Sequence, residues 1–173
     1  KGKSVSILGG HYGNWEWVAL SLPLVTRFQT YGIYRILSNQ FMNSKIKASR
    51  ERNGMKLIST EEVAHILNES KDKKITMGYI ADQSPPRHGK KHWFKFLNQD
   101  TATATGYEHF AKKHDSPVLY LHFAKKKRGY YVGTFYPITD EPKKTNSGEI
   151  VEAFNKILEN IIKENPEFWL WSH

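Results

Sequence analysis

Apolar positions along the chain fall in short runs that alternate with amphipathic stretches, and each switch of period coincides with glycine, proline or a capping residue. The run Val5 to Leu8 reads as a buried strand stopped by Gly9-Gly10. Asn14 is a candidate N-cap for a helix over Trp15 to Leu22, with Pro23 near its end. Thr30 to Leu37 reads as a second strand, and Asn39 to Arg52 as a helix closed by Asn53-Gly54. Met55 to Ile58 is a third strand. Ser59 and Glu62 make a capping-box pattern that opens a helix through about Glu69. Lys74 to Ala81 is a fourth apolar strand, followed at Asp82 by a proline-, glycine- and base-rich loop through His92.

The second half continues the alternation. Trp93 to Leu97 reads as a strand, Thr101 to His114 as a helix and Pro117 to Phe123 as a strand. A turn at Lys125 to Gly129 brings Tyr130 to Tyr136 back as a hairpin partner. Asn146 to Glu164 is the clearest helix, with Val151, Phe154, Leu158 and Ile161 as its apolar stripe. Glu152–Lys156 and Glu159–Lys163 are favourable i,i+4 pairs on it. Strands alternating with helices predict an α/β fold, with a mixed, mostly parallel central sheet flanked by helices.

Composition narrows the picture. The 173 residues suit a single domain spanning the chain. There is no cysteine, which excludes disulfides, a thiolate nucleophile and cysteine-ligated zinc. His88 and His92 are spaced i,i+4 on a loop, and His109 and His114 are five apart on a predicted helix, so neither pair shares a face suited to a metal. No metal or cofactor is expected. No P-loop, dinucleotide fingerprint or Gly-x-Ser-x-Gly elbow is present. The formal charge of +9 favours anionic partners without choosing among them. No run approaches the roughly 20 apolar residues of a membrane span. The chain begins at Lys1 and enters a strand almost at once, which reads as a piece of a longer protein.

The sharpest chemistry lies in Gly9-Gly10-His11-Tyr12-Gly13-Asn14-Trp15-Glu16. It sets a histidine and a carboxylate five residues apart across a strand-to-helix turn, the place where open α/β sheets put their ligands. Histidine moves protons near neutral pH, and a carboxylate on one ring nitrogen fixes its tautomer. His11 is therefore a candidate general base and Glu16 its orienting partner. The alternative is a turn histidine bonded to backbone beside an unrelated surface glutamate.

Gly10 to Glu16 resembles the His-x4-Asp/Glu motif of the glycerolipid acyltransferase superfamily, and its Gly-Asn-Trp-Glu resembles the lipid A late-acyltransferase branch, the lauroyl and myristoyl transferases. Further blocks follow in the family's order. Ile33-Tyr34-Arg35 resembles a Tyr-Arg block, Arg50-x-Arg52-x-Gly54 an arginine-glycine segment, and Ala81-Asp82-Gln83 an Asp-Gln block. Phe94 to Gly106 resembles a segment with a Phe-x-Gly-x2-Ala-x-Thr-x2-Gly pattern, here represented by Phe96, Ala102, Thr105 and Gly106, with Asn98-Gln99-Asp100 where the family has glycine. Pro166-Glu167-x2-Leu170-Trp171-x-His173 resembles the closing motif.

The resemblance implies a glycerolipid-acyltransferase-like fold. It implies acyl transfer from an acyl-carrier protein or acyl-CoA thioester to a hydroxyl of a lipid A precursor or related glycolipid, in lipopolysaccharide biosynthesis. His11 and Glu16 would be catalytic; Asn14, Arg35, Arg50, Arg52 and Asp82 would bind substrate. Each arginine also reads as surface charge, and Asp82 as a turn cap. Oxyanion donors could be backbone amides of Gly9 to Gly13 or a nearby arginine. An apolar tunnel for the acyl chain should open near His11. The implied location is the cytoplasmic face of a Gram-negative inner membrane, with the family's N-terminal anchor missing from this chain. Lys90-Lys91 and Lys125 to Arg128 could meet the carrier protein or anionic lipid, and Trp93, Trp169 and Trp171 a membrane interface or the core. No nucleic acid is expected. The rival reading is a non-catalytic basic α/β module for nucleic acid or anionic membranes, in which charge rather than His11 carries the function.

Overall fold

The computed structural model describes residues 2–70 and 73–172. Its centre is a six-stranded sheet of β1 (Val5–Gly9), β2 (Gln29–Ile33), β3 (Lys56–Ile58), β4 (Ile75–Ile80), β7 (Val118–Lys127) and β8 (Tyr130–Thr139). The spatial order is β3-β2-β4-β1-β7-β8. The first five strands in that order run parallel, and only the hairpin partner β8 is antiparallel. Helices α1 (Glu16–Val25), α2 (Gln40–Glu51), α3 (Val63–Glu69), α4 (Gly106–His114) and α5 (Glu149–Glu164) connect and cover it. The expected mixed, mostly parallel α/β sheet is therefore observed. Among the described residues, no helix is long and apolar enough to cross a membrane.

Two apolar layers sit on the two faces of the sheet. Alternation along each strand sends Leu8, Met77 and Tyr120 to one face, where Phe154 and Leu158 of α5 complete the larger core. It sends Ile7, Leu57 and Leu121 to the other, where Leu22 of α1 meets them. The α5 stripe read from the sequence is fully buried at Val151, Phe154 and Leu158. The N-cap of helix α5 is Gly148, whose φ of 86° suits glycine. Its first turn is capped from another helix: the buried Glu108 carboxylate of α4 accepts the Gly148 and Val151 amides at 2.8 and 3.2 Å. A carboxylate there satisfies orphan donors and meets the positive end of the helix dipole.

Several boundaries depart from expectation, each for a local reason. Residues 99–104 form strand β6, not the start of a helix, and α4 begins only at Gly106. Leu97 and Asn98 both adopt left-handed φ, 49° and 65°, the geometry of a tight hairpin turn. That turn pairs β5 (Lys91–Phe96) with β6 (Gln99–Ala104), and asparagine tolerates the conformation where the family pattern has glycine. Strand β2 stops at Ile33 rather than Leu37. Strand β7 runs on through Lys127, so the hairpin turn shrinks to Arg128-Gly129. Helix α1 is capped at Trp15 rather than Asn14, whose side chain instead donates to the Tyr131 hydroxyl on β8 at 3.2 Å. Of the two helix pairs expected on α5, Lys163 meets Glu159 at 2.5 Å, while Glu152 is drawn to His92 of the β5-β6 hairpin at 2.6 Å. The Asn39 cap is as read, its side chain accepting the Met42 amide at 3.0 Å.

Candidate active site

Strands β1 and β4 are direct parallel neighbours, with Gly9 opposite Ile80. The chain leaves both at the same edge, so His11 and Asp82, each two residues further on, arrive together. Asp82 Oδ1 lies 2.6 Å from His11 Nδ1, and Asp82 Oδ2 accepts the His11 backbone amide at 2.8 Å. The Trp169 indole donates to the same Oδ2 at 2.9 Å. Gly10 makes this approach possible: a Cβ there would stand 3.2 Å from Asp82 Oδ2 and 3.0 Å from Leu158 Cδ1.

Trp169 is brought in by the end of the chain, which pairs with the histidine turn as a short antiparallel bridge at Tyr12. The Gly13 amide donates to the Phe168 carbonyl at 2.7 Å, and the Leu170 amide to the His11 carbonyl at 3.0 Å. The closing motif thus buttresses the first one. Its last residue, His173, lies outside the described residues.

The Asp82 side chain is only 2% exposed. Burial by itself would push its carboxyl up. The hydrogen bonds from the His11 ring and the Trp169 indole, with the His11 charge and amide, outweigh burial and hold it below the ordinary aspartate range. A depressed folded value means that the stabilising contribution is complete above about pH 4 and is lost as pH falls through the folded pKa. Denaturant titrations at pH 6 and pH 3 should therefore show an acid loss of stability that is smaller in Asp82→Asn than in the wild type.

Glu16 stands elsewhere. Its carboxylate takes the Arg50 guanidinium in a two-point pair, Nε to Oε2 at 2.8 Å and Nη2 to Oε1 at 2.5 Å. No hydrogen bond or ion pair joins Glu16 to His11 among the described residues. The expected carboxylate on the imidazole is therefore supplied in this geometry by Asp82, 71 residues away. Arg50 also lies over the Trp15 ring at 5.7 Å, and Trp15 meets the His11 ring edge-on at 4.6 Å. His11, Trp15, Glu16 and Arg50 are thus one contiguous group.

That group lines one end of a cavity of about 250 Å³ between the sheet and α1. Arg35 and Gln83 join it at the polar end, and Ile7, Leu22, Leu57 and Leu121 line the apolar remainder. Among the other residues singled out from the sequence, Arg52 and Asn14 do not line it. The His11 and Gly13 amides, two of the candidate oxyanion donors, are already used by Asp82 and Phe168. The role of the Trp169 indole had no counterpart in the sequence reading, which treated that residue as core or interface. The resemblance named the residues flanking Trp169 but gave no reason to join it to Asp82.

Chemically, Nδ1 bonded to a carboxylate makes Nε2 the basic nitrogen of a neutral imidazole. Beside an apolar cavity with two arginines at its polar end, such a base suits a substrate with a long apolar part, an anionic part and an exchangeable proton.

No individual curated protein matches the chain significantly. The family profile described as bacterial lipid A biosynthesis acyltransferase matches residues 1–173, the whole chain. The chain belongs to the bacterial lipid A biosynthesis acyltransferase family.

Proposed function

We propose that the protein transfers a fatty acyl group from an acyl-carrier-protein or acyl-CoA thioester to a hydroxyl of a lipid A precursor, with His11 as the general base. Family membership establishes acyl transfer in lipid A biosynthesis in general terms, with an acyl donor and a lipid acceptor. The observation that carries the finer reading is the His11–Asp82 hydrogen bond at the polar end of an apolar cavity.

In this mechanism the acceptor hydroxyl gives its proton to His11 Nε2 as its oxygen attacks the thioester carbonyl. Asp82 balances the imidazolium that forms. The tetrahedral intermediate collapses, the carbon–sulfur bond breaks and the leaving thiolate takes the proton back from the imidazolium. No acyl-enzyme is needed. Such base catalysis contributes on the order of 10²–10⁴ in rate.

Arg50, held by Glu16, and Arg35 would receive the negative charge of the intermediate or of acceptor phosphates, since guanidinium forks match both. Glu16 then acts through Arg50, fixing where its charge sits. The work would take place at the cytoplasmic face of the inner membrane. Exposed Leu24, Val25, Ile36, Leu37, Phe41 and Met42 on and around α1 and α2 support docking to lipid. Residues 1–173 would serve as one catalytic domain.

The test is transfer of labelled acyl groups to a lipid A precursor, with the carrier-protein thioester and the CoA thioester as alternative donors. Product from at least one donor is expected. No product from either, with the protein folded and membrane lipid present, would overturn the reading.

A further inference from the structure

The floor of the cavity has a missing layer. On the sheet face beneath α1, side chains stack in rungs across β1, β4 and β2, fixed by the strand register. Val5, Thr76 and Thr30 form the lowest rung. Thr76 and Thr30 are buried, and the Thr30 hydroxyl is tied to that of Thr26 at 2.8 Å, so this rung is filled. The next rung is Ile7, Gly78 and Gly32, two of its three positions having no side chain. Above it, Gly9 and Ile80 lead out toward His11 and Asp82. All of Ile7, Gly78 and Gly32 line the cavity.

The two glycines are not equivalent. A Cβ at Gly32 would strike Met55 Sδ at 2.8 Å, so that position is bare because a neighbour fills its space. A Cβ at Gly78 would meet only the Tyr31 carbonyl at 3.5 Å and Leu22 Cδ2 at 4.0 Å, ordinary contact distances. Neither backbone conformation is in the left-handed region that requires glycine. Gly78 thus leaves space that a side chain could occupy without backbone strain. His11 lies four residues beyond Ile7, two of them past the end of β1, so the two are at most about 13–14 Å apart along the chain.

We propose that Gly78 sets the depth of the acyl pocket and hence the longest acyl chain accepted. The assignment rests on the acyl-transfer reading of the same cavity. A larger side chain at position 78 raises the floor by part of a rung. Long chains then lose burial while short ones do not. Each pair of methylenes excluded should lower the preference for a chain by about tenfold.

Two readouts separate this inference from the catalytic one. The first is acyl transfer with saturated thioesters of graded length. The second is binding of saturated fatty acids of graded length, followed by displacement of a fluorescent fatty-acid probe, which needs no catalysis. Gly78→Ala and Gly78→Leu should move both optima to progressively shorter chains. If Gly78→Leu does not fold, Met55→Ala, which enlarges the same end, should move both optima to longer chains. An unchanged length profile in a folded Gly78 variant, or in Met55→Ala, would overturn the assignment. Length-dependent fatty-acid binding that shifts with Gly78, in a protein that transfers no acyl group, would uphold the pocket and remove the catalytic reading instead.

Discussion

Asp82→Asn is expected to lower acyl transfer by on the order of 10³–10⁴ while leaving the fold intact, because it reverses the tautomer of His11. The argument turns on the two oxygens of Asp82. Oδ2 accepts two donors whose positions are fixed, the His11 amide and the Trp169 indole. Oδ1 accepts the His11 ring. An asparagine has one acceptor oxygen, and the two fixed donors claim it. Its amino group then faces Nδ1, and the ring answers by presenting its lone pair there. The proton moves to Nε2, and the base is blocked. Retention of more than about a tenth of the wild-type rate in a folded Asp82→Asn protein would count against Asp82 as the group that orients the ring.

The sequence carried the frame of this site further than its wiring. Alternating apolar runs were enough to read a mostly parallel sheet, and the glycine turn after the first strand located His11. The partner of His11 was misplaced for a physical reason. Spacing along the chain made Glu16 the nearer carboxylate, but residues five apart across a turn into a helix need not face each other. The contact that forms is between the ends of two strands, and it depends on β1 and β4 being neighbours in the register Gly9 opposite Ile80. Strand order is a tertiary fact that local periodicity does not contain. Asp82 was nevertheless visible as a polar residue ending an apolar strand.

The β5-β6 hairpin was half missed in the same way. Thr101 to Ala104 carry no strong period, and the pairing is set by a left-handed turn at Leu97-Asn98 that has no glycine to announce it. The capping of α5 by Glu108 was not legible either, because it joins two helices 40 residues apart. Arg50 was legible as a possible anion-binding residue, but its clamp by Glu16 was not.

His11→Ala carries the second large effect. It removes the proton acceptor while leaving the apolar remainder of the cavity in place, so donor binding should persist while transfer falls by roughly 10²–10⁴. Residual turnover would come from holding donor and acceptor together, a contribution that survives loss of the base. Because His11 and Asp82 act as one unit, the double variant His11→Ala with Asp82→Asn should be no slower than His11→Ala alone. An additive loss would mean that Asp82 works on the substrate by a separate route.

The most direct measurement of the central claim is the single-turnover rate of acyl transfer by His11→Ala protein whose fold is verified by circular dichroism. A rate at least about a hundredfold below wild type, with fatty-acid binding retained, is the predicted result. A wild-type rate would contradict the assignment of His11 as the base.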